Sequence, residues 1–399
     1  MSKYVGVKST GIKLPILKEG DNLAEAVVKS VLKAVKREHL KLNDRDIIAI
    51  TESIVARTSG DYITVTDIAE DIKAKIGANK TVGLVFPILS RNRFSNILKG
   101  IAQGVNKIYL VLSFPSDEVG NHLVSDRDFY SSGVSPTSVL TEKQFRAAFG
   151  ETKHEFTGVD YVEYYKEIAA SRDCKLEVIF SNDPTVVLKY TKTVIAGDIH
   201  TRFLTKARLM EAGANKVILL SDICSKPVEG KDTKYNSQYG LLGTNKVTDL
   251  SLKLFPEHGN ELVKAVQDAI LEKTGKYVEV MVYGDGAFKD PQGKIWELAD
   301  PVVSPFYTSG LNGTPNEIKL KYFADNKYRH LKGKELEKAI KEEINNKSKD
   351  LKGDMASEGT TPRKLTDLLG SLADLTSGSG DRGTPVVLIQ NYFNNYSDK

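Results

Sequence analysis

The feature that most constrains the fold is a regular alternation of short apolar stretches and helical patterns between residues 105 and 235. The pattern predicts strands at 107–113, 175–180, 193–197 and 216–220, and helices at 160–170 and 201–212. Strands that alternate with helices usually pair in parallel through right-handed crossovers. The segment 105–235 is therefore predicted to be an α/β module with a parallel sheet.

The flanking parts of the chain, 1–104 and 236–399, show a less regular mixture of elements. Strands are predicted at 4–7, 47–52, 83–89, 278–283 and 386–390, and helices at 22–35, 95–103, 259–274, 332–349 and 364–375. The predicted fold class is a mixture of α+β and α/β. In it, one discontinuous mixed-sheet body is formed by 1–104 and 236–399, and the module 105–235 is inserted into that body.

Composition excludes several classes of protein. The chain has 399 residues, with 40% hydrophobic and 27% charged residues, and has no apolar run as long as a membrane span. A net charge of +4 without a basic tract argues against nucleic acid as a partner. Two cysteines give no disulfide framework, and six scattered histidines show no zinc-site spacing. A start without a signal-peptide pattern predicts a cytoplasmic protein.

One acidic residue follows a predicted buried strand. The strand 278–283 ends at Gly284-Asp285-Gly286. Flanking glycines let the backbone approach a ligand closely, and a carboxylate at the end of a strand is suited to hold Mg²⁺ against phosphates. An Asp-Gly turn that closes a hairpin is the structural alternative, and the stretch itself leaves both open.

Cationic and polar side chains follow other predicted strands, where open α/β sheets bind their ligands. Ser53 and Arg57 follow strand 47–52, and the remaining candidates after strand ends are Arg91, Arg93, His200, Arg202 and Asp222. Arg91 and Arg93 precede a helix, and a helix N-terminus attracts anions. We expect Arg91, Arg93, His200 and Arg202 to converge on one anion-binding cleft. Solvated arginines and a capping histidine are the structural alternatives.

A glycine-rich loop precedes the last predicted strand. Its residues from Gly378 to Gly383 can wrap phosphates through backbone N–H groups. The order of elements is reversed relative to a P-loop, and GxxxxGK[ST] is absent.

Five stretches, in this order, resemble the coenzyme F420-0:L-glutamate ligase family, the γ-glutamyl ligases of the deazaflavin coenzyme. They are GIKLPILKEGDNL (11–23), LNDRDIIAITESIVARTSG (42–60), GLLGTNKV (240–247), ILEKTGKYVEVMVYGDG (270–286) and GSGDRGTPVVLIQ (378–390). The similarity falls in two blocks, 1–100 and 236–395. The module between them has no clear counterpart in the shorter archaeal enzymes.

The resemblance implies a nucleotide- and metal-dependent carboxylate-amine ligase. Family members use GTP and a divalent metal to activate a carboxylate as an acyl phosphate, which the amine of L-glutamate attacks. The expected co-substrate is GTP or ATP with Mg²⁺ or Mn²⁺, and the expected acceptor is a small anionic molecule such as a deazaflavin or a folate-like compound. A homodimer is the expected assembly.

The resemblance also assigns roles to residues. Asp285 and Arg57 correspond to catalytic positions, and Asp285, supported by Asp222, to the metal site. The nucleotide positions are Leu14, Pro15, Ile16, Leu17, Glu52, Ser53, Arg57, Asn245, Gly378, Ser379, Gly380, Asp381 and Gly383. The acceptor is assigned to Arg91, Arg93, His200 and Arg202 because of their positions after strand ends, and not through the resemblance.

The chain departs from the family pattern at several positions. The family's second metal aspartate falls on Leu242 or Gly243, and the acidic residue of its glycine loop falls on Ser379. Arg57 stands where the family has a lysine. The positive charge is kept, but the compact ammonium of lysine is replaced by the planar, forked guanidinium of arginine. Loss of two carboxylates would weaken a two-metal site. Acidic residues from other positions in the sequence that could supply the missing carboxylates are Asp222, Asp232, Asp290 and Asp381.

Two other functions remain open at this stage. A protein of the same fold without the metal ligands would bind a nucleotide or metabolite without catalysis. Alternatively, the module 105–235 would carry the main active site. Nucleotide hydrolysis that depends on an added acceptor separates the ligase from the non-catalytic protein.

Overall fold

The computed structural model describes residues 5–154, 157–284, 304–360, 363–378 and 380–398, together with the backbone of 287–289 and 296–298. Its α-helices are α1 Leu23–Arg37, α2 Glu52–Ser59, α3 Val65–Ile76, α4 Ser95–Gly104, α5 Asp126–Ser132, α6 Glu142–Phe149, α7 Tyr161–Ala170, α8 Arg202–Glu211, α9 Gly259–Thr274, α10 Leu320–Asp325, α11 Gly333–Asn346 and α12 Leu365–Thr376. Its strands are β1 Lys8–Ile12, β2 Ile47–Thr51, β3 Tyr62–Thr64, β4 Thr81–Val85, β5 Lys107–Leu112, β6 Leu140–Thr141, β7 Lys175–Phe180, β8 Thr193–Ala196, β9 Lys216–Leu219, β10 Asn245–Lys246, β11 Ser251–Lys253, β12 Glu279–Tyr283, β13 Ala287–Lys289, β14 Trp296–Leu298, β15 Phe306–Tyr307 and β16 Val386–Gln390.

Strands from both ends of the chain form a five-stranded mixed sheet in the order β1-β16-β2-β12-β15. β2 and β12 are parallel, and the other neighbours are antiparallel. Both faces of β2 are covered: Ile48 and Ile50 join the largest hydrophobic cluster, while Ile47 and Ala49 pack in a cluster with Leu369 of α12. Burial on both faces explains why β2 is a continuous apolar run. The two flanking parts of the sequence therefore share one sheet.

The second sheet has six strands in the order β6-β7-β5-β4-β8-β9, and all of them except β6 are parallel. This arrangement confirms the parallel sheet that the strand-helix alternation predicts. β4 lies between β5 and β8, although its residues 81–85 precede the sequence boundary at 104. The sheet thus includes one strand from the predicted body, and the division into a body and an insertion stays a prediction.

Two glycines bring helices α3 and α4 close together. A Cβ atom on Gly100 would lie 2.6 Å from the Cβ of Ile68, and one on Gly104 would lie 3.0 Å from the Cγ2 of Ile72. A side chain at either position would therefore push the two helices apart. The largest hydrophobic cluster includes Ile48 from the five-stranded sheet and Leu84 from the six-stranded sheet. The two sheets consequently share one continuous core.

Most predicted elements are present with small shifts at their ends, and the mixed α and β fold class is confirmed. The Asn22 side chain caps α1 as predicted, accepting a hydrogen bond from the Glu25 N–H at 3.1 Å. The strand predicted at 4–7 is wrong within the described residues, since β1 begins at Lys8. Ser53 and Arg57, which the sequence places after strand 47–52, lie on helix α2, whose residues are 52–59. Of the described helices, none is both long and apolar enough to cross a membrane.

We expect Leu388→Ala to destabilise the fold because β16 joins the two ends of the chain. Leu388 is fully buried and lies opposite Ile48 of β2. Removing a large apolar side chain from a packed core costs about 2–5 kcal/mol. The measurement is the urea midpoint of unfolding by far-UV circular dichroism, with Leu375→Ala as a control because Leu375 is 67% exposed. Equal midpoints for the two variants would contradict this account of the core.

Candidate functional site

One edge of the five-stranded sheet gathers four segments of the chain. Thr51 at the end of β2 is paired with Tyr283 at the end of β12. At the same edge β1 ends and β16 begins, because Val386 lies opposite both Ile12 and Ile50. The segments that follow β1, β2 and β12, and the loop before β16, therefore meet there. We call this region the β2–β12 edge.

Backbone hydrogen bonds hold two of these segments together. The Leu14 N–H donates to the Gly383 carbonyl at 3.1 Å, and the Thr51 N–H donates to the Pro385 carbonyl at 3.0 Å. The loop before β16 is closed by mutual backbone bonds between Gly378 and Thr384. Segment 14–17 thus lies beside the glycine-rich loop, and the nucleotide role that the resemblance implies for both stays a prediction. Within that loop, Gly380 and Asp381 are exposed.

Arg57 connects helix α2 with the segment after β1. Its Nε atom donates to the Leu17 carbonyl at 2.8 Å, and the side chain is exposed. Leu17 is buried, whereas Ile16 beside it is 90% exposed. With its Nε fixed, the guanidinium keeps further N–H groups on a planar fork that can hold an anion. The residue therefore presents a positive charge at the β2–β12 edge.

A buried ion pair lies at the start of helix α2. Both carboxylate oxygens of Glu52, the first residue of α2, accept hydrogen bonds from Nζ of Lys253 in β11. Glu52 is 6% exposed and Lys253 is 5% exposed, so the two charges neutralise each other away from water. Nearby, burial and the Glu257 carboxylate raise the pKa of Asp61 to about 6, whereas His258 and Lys253 act to lower it. Asp61 can therefore exchange a proton near neutral pH.

Strands β10 and β11 connect this ion pair to a second set of residues. Asn245 lies opposite Lys253 in the register of the two strands, so the two side chains share a face. The Asn245 Oδ1 accepts a hydrogen bond from the Asn92 Nδ2 at 3.0 Å, and the Lys246 N–H donates to the Asn92 carbonyl at 2.7 Å. The loop after β4 is therefore attached to the strand pair that holds the Glu52–Lys253 ion pair.

The loop after β4 forms one wall of a cleft of about 660 Å³. The lining residues are Ile88, Leu89, Ser90, Arg91, Asn92, Arg93, Asn121, His154, Thr157, Tyr161, Tyr164 and Lys246. Three of the described lining residues are cationic, namely Arg91, Arg93 and Lys246, and Lys246 forms an ion pair with Asp249 at 2.7 Å. Cationic side chains in a cleft attract an anionic ligand. We call this region the arginine cleft.

A buried tyrosine and a buried aspartate fix the backbone of the loop after β4. The hydroxyl of Tyr165 donates to the Ile88 carbonyl at 2.9 Å and accepts from the Ser90 N–H at 3.2 Å. The Asp117 carboxylate accepts from the Leu89 N–H at 2.8 Å. Burial raises the pKa of both side chains, although the hydrogen bonds that each accepts act to lower it. The residues just before Arg91 are therefore held rigidly.

The structure brings Arg91 and Arg93 together in the arginine cleft, but His200 and Arg202 are not among the residues that line it. The Glu118 carboxylate occupies the anion position after β8: it accepts from the backbone N–H groups of His200 at 3.0 Å and Thr201 at 3.1 Å, and also from the N–H of Ile199. Arg202 donates to the Ile199 carbonyl and lies over the Phe203 ring. The protein itself therefore supplies the anion at this strand end, and a ligand role for His200 and Arg202 stays a prediction.

Candidate metal ligands do not gather in the part of the chain that the structure describes. Asp222 accepts from the Leu219 N–H at 2.9 Å and lies 3.9 Å from Nζ of Lys206, so it stabilises the turn after β9. No three His, Cys, Asp or Glu side chains among the described residues form a group that could hold a metal ion. Asp285 and Ser379 lie outside the described residues, and their roles stay predictions.

Sequence reasoning missed Lys253, Tyr165 and Asp117. Lys253 lies between the buried Leu252 and Leu254, and a lysine within an apolar strand is a signal for a buried ion pair, although it does not identify the partner. Tyr165 and Asp117 carry no comparable signal, because their partners are backbone groups of a distant loop.

Comparisons with known proteins identify the family of the chain. A family model described as F420-0:Gamma-glutamyl ligase matches residues 11–391, which is nearly the whole chain. Among curated proteins, none matches the chain. Among solved structures, the chain is similar to one titled as the tetrameric eIF2B-beta2-delta2 complex from C. thermophilum, with 14% identity, a TM-score of 0.23 and coverage of 51% of this chain. The matched part spans 60% of that protein's chain.

The family match extends through residues 105–235, which the resemblance read from five stretches leaves without a counterpart. Nearly the whole chain is therefore accounted for by one family description. The chain belongs to the F420-0:gamma-glutamyl ligase family, a family of glutamate ligases.

Proposed function

We propose that the protein uses a nucleotide to join L-glutamate to a carboxylate of a small anionic acceptor through an acyl phosphate. One observation carries the proposal beyond family membership. Three segments that are far apart in sequence meet at the β2–β12 edge, where Leu14 contacts Gly383 and Arg57 contacts Leu17. These are the segments that the resemblance assigns to the nucleotide.

The nucleotide is placed at the β2–β12 edge. Arg57 offers a planar cation to a phosphate, and the exposed backbone at Gly380 and Asp381 can offer N–H groups. Ile16 is almost fully exposed beside them and can cover the base or ribose. The base, guanine or adenine, is left to experiment, with GTP as the expectation from the resemblance.

The acceptor is placed in the arginine cleft. Arg91, Arg93 and Lys246 are the cationic residues there, of which Lys246 is paired with Asp249, and Tyr161 and Tyr164 supply ring surfaces. L-glutamate alone would leave most of a cleft of about 660 Å³ empty, so a larger anionic molecule such as a deazaflavin or folate-like compound fits better. The hydrogen bond between Asn92 and Asn245 attaches this cleft to the strands beside the Glu52–Lys253 pair.

The proposed reaction has two steps. First, an oxygen of the acceptor carboxylate attacks the terminal phosphorus of the nucleotide, and the nucleoside diphosphate leaves. Second, the amine of L-glutamate attacks the carbonyl carbon of the acyl phosphate, inorganic phosphate leaves and the amine loses a proton. Both steps bring anions together, so fixed cations at the two sites lower the repulsion between the reactants.

The described residues do not by themselves provide a metal site. Near the β2–β12 edge, the Glu52 carboxylate is already bonded to Lys253, and Asp222 belongs to the turn after β9. Mg²⁺ or Mn²⁺ with Asp285 is therefore a proposal from the resemblance alone, and no step above depends on it. A cytoplasmic homodimer that binds no nucleic acid is likewise proposed.

The decisive experiment combines the purified chain, GTP or ATP, Mg²⁺ or Mn²⁺, L-glutamate and a deazaflavin or folate acceptor. A ligase releases phosphate only when glutamate and acceptor are both present, and its product gains the mass of one glutamyl residue. A thermal shift with nucleotide but no acceptor-dependent phosphate release would instead indicate a non-catalytic nucleotide-binding protein.

We expect Arg57→Ala to weaken nucleotide binding about 10- to 100-fold, because it removes a charge-assisted contact. Arg57→Lys should recover only part of the affinity, since a lysine ammonium cannot reproduce the planar fork. Nucleotide-dependent thermal shifts measure the effect. Arg127→Ala is the matched control, because Arg127 is an exposed arginine on α5. Unchanged shifts for Arg57→Ala would place the nucleotide elsewhere.

We expect Arg91→Ala to raise the KM for the acceptor about 10- to 100-fold while the KM for the nucleotide stays unchanged. The reason is that Arg91 lines the arginine cleft, whereas the nucleotide is proposed to contact Arg57 and the glycine-rich loop. Initial rates at varied acceptor and at varied nucleotide separate the two constants. A rise in the nucleotide KM alone would reverse the assignment of the two sites.

Asp285→Asn should abolish metal-dependent turnover and leave the melting temperature nearly unchanged, because the amide keeps the shape and removes the charge. Turnover is measured over a range of Mg²⁺ and Mn²⁺ concentrations. Asp325→Asn is the control, since Asp325 is an exposed aspartate at the end of α10. Wild-type turnover in Asp285→Asn would show that this residue is a turn residue.

A further inference from the structure

Asp61, in the turn between helix α2 and strand β3, carries an unpaired carboxylate. The side chain is half-buried and makes no hydrogen bond or ion pair with the described residues. By contrast, Glu52 is paired with Lys253, and the Glu257 carboxylate accepts from the N–H and the hydroxyl of one serine, Ser237, at 2.6 and 2.7 Å. Carboxylates that are partly removed from water usually find a partner, so the Asp61 carboxylate is available to a ligand.

The backbone ties Asp61 to the strand that carries the buried ion pair. The Leu254 N–H donates to the Asp61 carbonyl at 2.8 Å. In the register of β3 and β11, Tyr62 lies opposite Lys253. Asp61 therefore lies next to β11, one residue away from the position opposite Lys253.

The segment that holds Asp61 also reaches the end of β12. Phe255 follows Leu254 directly, and a Cβ atom on Gly284 would lie 3.2 Å from the Phe255 ring. The same Cβ would lie 3.7 Å from Cγ of Glu52. Gly284 is the first residue after β12. The segment beside Asp61 therefore packs against the β2–β12 edge, where the nucleotide is proposed to bind.

Arg57, the proposed phosphate contact, lies within electrostatic reach of the same turn. Burial raises the pKa of Tyr62, the Arg57 charge acts to lower it, and the carboxylates of Glu19 and Asp61 act to raise it further. The Tyr62 phenol is therefore close enough to Arg57 and Asp61 to be affected by both charges. A phosphate held by Arg57 would lie in the region that Asp61 borders.

The charges around Asp61 suit a proton acceptor. Burial is the main reason that the pKa of its carboxyl rises to about 6, and the Glu257 carboxylate raises this pKa as well, whereas His258 and Lys253 act to lower it. The charge of Lys253 is already neutralised by Glu52, and His258 is exposed. Neighbouring carboxylates attract an ammonium group, and a carboxylate with a pKa near the working pH is an efficient base.

We propose that Asp61 is the general base that takes a proton from the amine of L-glutamate in the second step of the ligation. The inference rests on the proposed function, in which this proton has no acceptor. L-glutamate arrives with an ammonium group, which has no lone pair with which to attack. One of its protons passes to the Asp61 carboxylate. The nitrogen lone pair then forms the C–N bond, the C–O bond of the acyl phosphate breaks, and a second proton moves from the nitrogen to the departing phosphate.

The test compares L-glutamate with hydroxylamine as the attacking amine, on the full chain with the nucleotide, metal and acceptor of the ligase assay. Hydroxylamine is largely unprotonated at neutral pH, so it attacks an acyl phosphate without a base and gives a hydroxamate, which is measured as its iron(III) complex. We expect Asp61→Asn to lower kcat with L-glutamate about 100- to 10,000-fold and to keep hydroxamate formation within about twofold of wild type. Asp268→Asn is the matched control and should change neither rate, because Asp268 is an exposed aspartate on α9.

The pH dependence gives a second measurement. A base acts only in its deprotonated form, so the wild-type kcat with L-glutamate should fall as the pH drops below about 6. Glu257→Gln removes a charge that raises the pKa of Asp61 and keeps an oxygen that can accept from Ser237. In this variant the fall in kcat should therefore move to lower pH.

Three outcomes would overturn the proposal. Parallel losses of glutamate ligation and hydroxamate formation in Asp61→Asn would indicate a structural role. An unchanged kcat with L-glutamate in Asp61→Asn would remove the base and leave the ligase intact. If the wild-type protein forms neither hydroxamate nor glutamyl product, the proposed function itself fails, and the inference fails with it.

Discussion

The ion pair between Glu52 and Lys253 is the contact on which the arrangement of the site depends. Glu52 begins the helix that follows β2, and Lys253 belongs to the three-stranded sheet beside it. Loss of one partner of a buried pair costs about 3–5 kcal/mol, because the other charge stays away from water without compensation. The pair therefore fixes the β2–β12 edge relative to β10 and β11. Through Asn245 and Asn92, it also fixes the wall of the arginine cleft.

The six-stranded sheet is organised by two neighbouring carboxylates. Asp117 accepts hydrogen bonds from the loop after β4, and Glu118 accepts them from the loop after β8. Both strand ends would otherwise present unpaired backbone N–H groups, which attract anions. The loop that carries Asp117 and Glu118 thus fills the anion position after β8 with its own carboxylate. The same loop holds the backbone after β4 in place. Of the two strand ends, the one after β4 opens into a cleft lined by cations.

The sequence predicts the elements better than the contacts between them. Helix 259–274 and strand 386–390 have the predicted bounds, because apolar periodicity is a local signal. The local pattern does not reveal that Glu52 pairs with a lysine 201 residues away, or that Tyr165 bonds to a loop 75 and 77 residues earlier. The sequence also shows only locally that Arg91, His200 and Arg202 each follow a strand. Only the fold shows that Glu118 already satisfies the backbone near His200.

The geometry gives a reason for an arginine at position 57, where the resemblance implies a lysine. The Arg57 Nε is committed to the Leu17 carbonyl, and this bond fixes segment 14–17 against helix α2. An arginine has further N–H groups on the same rigid plane, so one side chain can hold the backbone and still present a fork to an anion. A lysine has a single charged atom, and a bond to Leu17 would draw its charge towards the protein. Arg57 therefore combines a structural role with an electrostatic one, and segment 14–17 is positioned by the same residue that is proposed to hold the phosphate.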